Sequence, residues 1–146
     1  MPYSTRFPVT PDDIDELGHV NHVVYVRWVQ DVAIAHSKAV GLGTEFYLAR
    51  LQAFVVQRIE LQYFAPAFVG EELEIETRVV AMRAASSERR TRIRRVSDGA
   101  LLVTAVATWA YVGRATGRPV RIPDEVRARF VLEPEPLVTR AMPNDA

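Results

Sequence analysis

The sequence has no cysteine and only one lysine, Lys38. The lack of cysteine excludes disulfides, a thiol nucleophile and a thiolate metal site. The formal net charge of +0 gives no general reason to bind nucleic acid or membrane surfaces. No apolar run approaches the roughly 20 residues of a membrane span, and the first residues lack the charged and apolar regions of a signal peptide. We therefore expect a cytoplasmic protein.

The residues that are present suit one compact domain with its own core. Of the 146 residues, 49% are hydrophobic and 25% are charged. We place this single domain at residues 1–130. Residues 131–146 combine prolines with acidic residues, so we expect a loose tail there.

One long helix is predicted near the start of the chain. Asn21 is a good N-cap, and Gly41 suits the left-handed position that ends a helix. Residues 22–40 would then form a helix of about 28 Å. Its apolar positions fill one broad arc: Val24, Tyr25, Trp28, Val29, Val32, Ala33, Ala35 and Ala39. An arc this wide indicates a helix that a sheet encloses.

The remaining regular structure reads as strands with a two-residue period. Strands are expected at residues 3–9, 53–63, 72–82, 88–96 and 101–112, with a short helix at 123–130. On the second strand, the apolar residues expected on one face are Val55, Ile59, Leu61 and Tyr63. We expect the four later strands to run as a meander joined by hairpins. The predicted fold is α+β, a curved antiparallel sheet of about five strands around one long central helix.

Chemically versatile side chains are concentrated just before that helix. Asp13, Asp15, His19 and Asn21 precede its first turn, where free backbone N–H groups and the positive end of the helix dipole lie. An ionised carboxylate is favoured at such a position. The pattern indicates a site for general-base or nucleophilic chemistry, with backbone donors for a developing negative charge.

These residues resemble the signature of the 4-hydroxybenzoyl-CoA thioesterase-like family of hotdog-fold acyl-CoA thioesterases. The first motif is Asp13-x-Asp15-x-x-Gly18-His19-Val20-Asn21-x-x-x-Tyr25. Two later motifs are Tyr63-x-x-Pro66-Ala67-x-x-Gly70-Glu71 and Thr116-Gly117-Arg118-Pro119-x-x-Ile122-Pro123. The resemblance covers most of the chain. It also extends to plant acyl-carrier-protein thioesterases, although Leu17 stands where their asparagine would be.

The resemblance implies roles for individual residues. Asp15 corresponds to the catalytic base or nucleophile, and the amide of His22, with Val23 beside it, to the donor for the thioester oxygen. His19 would polarise the carbonyl or hold water, or else pack the loop against the sheet. Asn21 would cap the helix and reach the substrate, and Tyr25 would belong to the core or line the acyl pocket.

Other candidate groups have plainer interpretations. Asp13 is expected to be a turn residue and His36 a hydrogen-bonded core histidine, and we expect no metal and no cofactor. One cluster of positive charge consists of Arg83, Arg89, Arg90, Arg92, Arg94 and Arg95. It could bind the phosphates of CoA, or it could form a solvated strand face whose arginines pair with glutamates.

The function implied by the resemblance is hydrolysis of an acyl-CoA thioester, with the acyl tail in a tunnel at a dimer interface. We expect a homodimer or a tetramer made of two dimers, because an open sheet leaves a free edge. The alternatives are hydrolysis of an acyl-carrier-protein thioester, hydration or dehydration of an acyl thioester, and non-catalytic binding of acyl-CoA.

Overall fold

A computed structural model describes residues 2–134. The strands are β1 (Tyr3–Pro8), β2 (Gln52–Tyr63), β3 (Glu72–Met82), β4 (Ser86–Arg95) and β5 (Leu101–Gly113). The helices are α1 (His22–Ala39), α2 (Thr44–Arg50) and α3 (Asp124–Arg127), and a 3-10 turn covers Pro11–Asp13. The predicted loose tail falls largely at residues 135–146, which lie outside the described part of the chain.

All five strands form one antiparallel sheet in the order β1-β3-β4-β5-β2. The predicted four-strand meander is therefore wrong: β3, β4 and β5 follow one another, but β2 lies at the far edge beside β5. The connection from β2 to β3 covers residues 64–71, which is longer than the usual hairpin loop of about 2–5 residues. Its length allows the chain to cross from one edge of the sheet towards the other.

Helix α1 packs its apolar arc against the inner face of this sheet. Tyr25, Trp28 and Val32 belong to one buried cluster with Leu73 and Ile93. The helix ends as predicted, because Gly41 adopts a φ of +89° that glycine accepts without strain. The prediction of one sheet-enclosed helix is confirmed.

A β-bulge at Gln57 changes which side chains of β2 face inward. Before the bulge Val56 is opposite Trp109, and after it Ile59 is opposite Ala107. Opposed residues share a face, so Val56 and Ile59 face inward together although they are three positions apart. Val55 therefore lies on the outer face, and its predicted grouping with Ile59, Leu61 and Tyr63 is wrong.

The outer face of β3 and β4 carries a network of ion pairs. Glu76 accepts from Arg78 at 2.8 Å and lies 3.5 Å from Arg92, while Arg90 pairs with Glu88 at 2.9 Å. These pairs favour the solvated, glutamate-paired interpretation of the arginine cluster over a surface for CoA phosphates.

One arginine of that cluster lies inside the protein. Arg89 is only 7% exposed, and its Nη1 donates to Nδ1 of His36 at 2.9 Å and to Oγ1 of Thr77 at 3.1 Å. His36 also stacks on Tyr3, with ring centroids 5.4 Å apart. Burial, together with the charge of Arg89, lowers the pKa of His36 to about 4, against a smaller opposing effect of Glu133. His36 is thus a hydrogen-bonded core histidine that is neutral at pH 7.

A neutral, half-buried histidine makes stability depend on pH. The unfolded chain takes up a proton on His36 near pH 6.5, whereas the folded chain resists protonation down to about pH 4. The free energy of unfolding should therefore fall as the pH drops through this window. We expect His36→Gln to remove about 1 kcal/mol of that pH dependence, after allowance for solvent screening.

Urea unfolding at pH 7 and pH 4.5 measures this difference. The control is His22→Gln, because His22 is exposed and should keep the wild-type pH dependence. An identical pH dependence in His36→Gln and the wild type would contradict the assignment of a neutral His36.

Candidate active site

The segment before α1 folds into a small hairpin, which we call the 14–20 hairpin. Ile14 and Val20 form its bridge, and Asp15 N–H donates to the carbonyl of His19 at 3.0 Å. The three-residue turn closes with Gly18 N–H donating to the carbonyl of Asp15 at 3.1 Å, and Gly18 has a φ of +89°. A turn of this kind ends with a left-handed residue, which explains the glycine.

Asp13 fastens this hairpin to its surroundings. Its buried carboxylate accepts from Thr10 N–H at 2.9 Å and from Thr10 Oγ1 at 3.1 Å through one oxygen. The other oxygen accepts from Nη2 of Arg27 on α1 at 3.1 Å. Its backbone carbonyl accepts from Asn21 N–H at 3.0 Å. Asp13 is therefore a structural residue of the turn, as the sequence predicted.

The hairpin brings the side chains of Asp15 and His19 together. The two residues are opposite each other, and Asp15 Oδ2 lies 3.8 Å from His19 Nδ1. Val20 is buried in the core, so the alternation of the hairpin turns Asp15 and His19 away from the core. Oδ1 of Asp15 accepts from Leu17 N–H at 2.9 Å. This bond orients the carboxylate and leaves Oδ2 available on the side of His19.

The first turn of α1 has a side-chain cap. Asn21 Oδ1 accepts from Val23 N–H at 2.9 Å, and the Asn21 carbonyl accepts from Val24 N–H at 2.9 Å. The predicted use of the Val23 amide as a second donor to the thioester oxygen is therefore corrected, because the cap already occupies it. Within residues 2–134, the His22 N–H has no acceptor and remains the donor at this end of the helix.

Two tyrosines lie near this site. Tyr25 is 3% exposed, and its hydroxyl accepts from Ala67 N–H at 3.2 Å, so it occupies the core, which is one of its two expected roles. Tyr63, which we did not predict as a site residue, donates from its hydroxyl to the His22 carbonyl at 3.1 Å. Its place in the second motif was the only sequence signal for this role.

Apolar side chains surround the site without being covered. Leu17 in the hairpin turn is 81% exposed, and Val23 in the first turn of α1 is 61% exposed. Phe68 is also exposed and follows Ala67, whose carbonyl accepts from Val20 N–H at 2.9 Å. An exposed apolar rim around charged groups is typical of a surface that receives a ligand or a partner.

The described residues also define what this site lacks. Within residues 2–134, no group of three His, Asp or Glu side chains comes together as a metal site. No helix in this part of the chain is both long and apolar enough to cross a membrane. A cavity of about 190 Å³ lies at the other end of α1, and none of its lining residues belongs to the 14–20 hairpin.

A five-stranded antiparallel sheet around one long helix is the hotdog fold, which solved thioesterase structures share. The family model of the thioesterase-like superfamily matches residues 9–130, and the chain belongs to this superfamily. The predicted fold and family are thereby confirmed.

Individual relatives agree with this assignment. The chain is 28% identical over 127 residues to the acyl-CoA thioester hydrolase YbgC of Escherichia coli O157:H7, covering 86% of this chain and 94% of the relative. It is 22% identical to the chloroplastic acyl-acyl carrier protein thioesterase ATL3 of Arabidopsis thaliana, covering 88% and 67% of the two chains. The fold is also that of the 1,4-dihydroxy-2-naphthoyl-CoA thioesterase Slr0204 from Synechocystis, with a TM-score of 0.83 at 14% identity and coverage of 89% and 96%.

The different environments of Asp13 and its neighbour Asp12 predict different mutant behaviour. Asp13→Ala removes a buried carboxylate with three hydrogen bonds and should lower the free energy of unfolding by about 2 kcal/mol. Asp12→Ala, at the exposed neighbouring position, should change it by less than about 0.5 kcal/mol. Urea unfolding measures both, and equal stabilities of the two variants would contradict the anchoring role of Asp13.

Proposed function

We propose that this chain hydrolyses acyl-CoA thioesters, with Asp15 as the general base or nucleophile. The observation that carries the proposal is that one short hairpin connects the Asp15 carboxylate, which lies beside His19, to the start of α1, where the His22 N–H is free. Along the hairpin, the Asp15–His19 pair lies two residues, roughly 7 Å, from the Asp13–Asn21 pair, and His22 follows Asn21 directly. A thioester group placed between Asp15 and His22 would have a base on one side and a hydrogen-bond donor on the other.

The proposed chemistry requires no group beyond those of the site. Asp15 Oδ2 takes a proton from water as the water oxygen bonds to the thioester carbon. The carbonyl oxygen becomes an oxyanion that accepts from His22 N–H, beside the positive end of α1. Collapse breaks the carbon–sulfur bond, and the CoA thiolate leaves and receives the proton. In the nucleophilic variant, Asp15 attacks the same carbon, the carbon–sulfur bond breaks and the CoA thiolate leaves, which gives a mixed anhydride. Water then hydrolyses this anhydride to the free acid, the Asp15 carboxylate is restored, and the proton released from water goes to the thiolate.

His19 and Asn21 support this reaction. The His19 ring lies 3.8 Å from Asp15 Oδ2, where it can hold the attacking water. Asn21 acts through the helix, since its side-chain oxygen is used by Val23 N–H and fixes the direction of the first turn. The similarity to YbgC supports CoA as the carrier, while the similarity to ATL3 keeps an acyl carrier protein as the alternative carrier.

Removing the Asp15 charge should abolish hydrolysis without unfolding the protein. We expect Asp15→Asn to lower kcat/KM for acyl-CoA substrates by about 100-fold or more, because the amide cannot take a proton. The assay is release of free thiol from a panel of acyl-CoAs, repeated with acyl carrier protein thioesters. Glu16→Gln is the matched control, because it removes a charge from the exposed neighbouring residue. Wild-type turnover in Asp15→Asn would exclude the proposed mechanism.

We further propose that the chain forms a homodimer, or a tetramer of two dimers, through the free edge of β2. Val56, Ile59 and Tyr63 point to the inner face, opposite Trp109, Ala107 and Val103. They are nevertheless 49%, 38% and 45% exposed, so α1 does not cover this part of the sheet. A second copy would bury these side chains and extend the sheet. Since Tyr63 contacts His22, the interface would also enclose the candidate active site.

Charges on this edge should separate the subunits. We expect the double variant Val56→Lys and Ile59→Lys to have at most half the wild-type mass in light scattering at micromolar concentration, because buried unpaired lysines oppose association. Thr5→Lys on the opposite edge strand is the control and should keep the wild-type mass. A monomeric wild type, or an unchanged mass in the double variant, would contradict this interface.

A further inference from the structure

The cavity at the far end of α1 is a second candidate site. It has a volume of about 190 Å³ and lies between α1, the start of β2 and the inner face of the sheet. Its walls are mainly apolar and include Ile34, Leu42, Phe54, Met82, Trp109 and Phe130. Ile34 is twelve residues after His22, about 18 Å along the helix. The cavity is thus separate from the proposed thioester site.

Within residues 2–134, the guanidinium of Arg89, which lies in the wall of this cavity, has no acidic partner. Its Nη1 hydrogens are used by neutral acceptors, Nδ1 of His36 and Oγ1 of Thr77. Among residues 2–134, no carboxylate forms an ion pair with Arg89, and Nε and Nη2 make no hydrogen bond to the protein. The Phe130 ring, 6.0 Å from the guanidinium carbon, offers only a cation–π contact.

A buried guanidinium without a carboxylate is unusual in a folded protein. Arginine is almost never fully buried unless it is paired, because removing a charge from water is strongly unfavourable. Burial lowers the pKa of Arg89 to about 10, so the side chain is still a cation at pH 7. His36 is neutral and cannot balance this charge. The missing negative charge can be supplied by a ligand that enters the cavity.

The donors and the walls together specify the chemistry of that ligand. Nε and Nη2 of a guanidinium form a planar pair that matches the two oxygens of a carboxylate. Ser37 and Tyr47, which also line the cavity, share a 3.1 Å hydrogen bond and add hydroxyl groups near it. The remaining apolar walls suit a hydrocarbon body and disfavour a strongly hydrated anion such as phosphate. We propose that this cavity binds the carboxylate end of an apolar organic acid, held by Arg89.

The cavity volume is suitable for such a ligand. An apolar cavity of about 150 Å³ accommodates benzene, so the 190 Å³ here can hold an aromatic ring or short alkyl chain together with a carboxylate. The acid could be a free molecule, or it could be the far end of an acyl chain whose thioester lies at the other end of α1. Both sources present the same chemical group to Arg89.

Binding of simple acids tests the site without relying on the proposed hydrolysis. The probes are benzoate and octanoate, and benzyl alcohol and octanol serve as controls that lack the carboxylate. Isothermal titration should give saturable binding of an acid to the wild type and at least tenfold weaker binding of the matching alcohol. Arg89→Met should weaken acid binding at least tenfold, whereas Arg90→Met, at the outward-facing and glutamate-paired neighbour, should leave it within twofold.

Two further readouts make the result decisive. Without ligand, Arg89→Met should fold and melt no lower than the wild type, because it replaces an unpaired buried charge by an apolar side chain of similar length. Acyl-CoAs of equal length, ending in a methyl or in a carboxylate, separate the two sources. If the wild type hydrolyses the carboxylate-ended acyl-CoA faster and Arg89→Met loses this preference, the ligand is the far end of the acyl chain. If the wild type binds benzoate or octanoate but hydrolyses both acyl-CoAs at rates that Arg89→Met does not change, the ligand is a free acid. The proposal is overturned if neither acid binds the wild type, or if Arg89→Met binds acids as tightly as the wild type.

Discussion

The candidate site depends on how the 14–20 hairpin is fastened to the start of α1. Asp13 makes this connection in two ways: its carbonyl accepts from Asn21 N–H, and its carboxylate accepts from Arg27 one and a half turns into the helix. Asn21 then caps the helix through Val23 N–H. These bonds fix the hairpin relative to the helix, so that Asp15 and His22 N–H occupy defined places. Without this connection, each group would be only a surface loop residue or a frayed helix end.

The sheet divides the arginines of β4 between two different environments. Strand alternation turns Arg90 and Arg92 outward, where glutamates on the same face form ion pairs with them. The same alternation turns Arg89 inward beneath α1, against His36 and Thr77. One run of similar residues therefore gives an ion-paired surface on one side and an isolated buried cation on the other. The buried environment of Arg89 is unfavourable for a cation unless a negative charge lies close to it.

The parts of the fold that follow from local patterns could be predicted from the sequence. The cap at Asn21, the helix end at Gly41 and the buried arc of α1 depend on neighbouring residues, and all three are found in the structure. The strand order could not be predicted, because the eight residues between β2 and β3 permit either a hairpin or a crossing. The bulge at Gln57 could not be predicted either, since it depends on pairing with β5 and reverses the inward face of half a strand.

The site was predictable to a similar degree. The sequence predicted that Asp15 and His19 lie together before α1, but not the tight turn at Gly18 that brings their side chains to 3.8 Å. The predicted N-cap at Asn21 already implied that its side chain would accept from Val23 N–H, because an N-cap side chain accepts from the second or third helical N–H. The burial of Tyr25 and the contact of Tyr63 with His22 depend on where β2 and its following loop lie. Thr91 and Ile93 alternate along β4, and extending this alternation by one step places Arg89 on the inner face as well. The sequence analysis instead grouped Arg89 with the neighbouring arginines.

The central claim is that a thioester carbonyl binds between Asp15 and the start of α1. The most direct measurement is a crystal structure with an acyl-CoA analogue in which a methylene group replaces the sulfur, so that hydrolysis cannot occur. We predict that the ketone oxygen lies within hydrogen-bond distance of His22 N–H and that Asp15 Oδ2 faces the carbonyl carbon. A ketone bound elsewhere, with Asp15 and His22 left in contact with solvent alone, would contradict it.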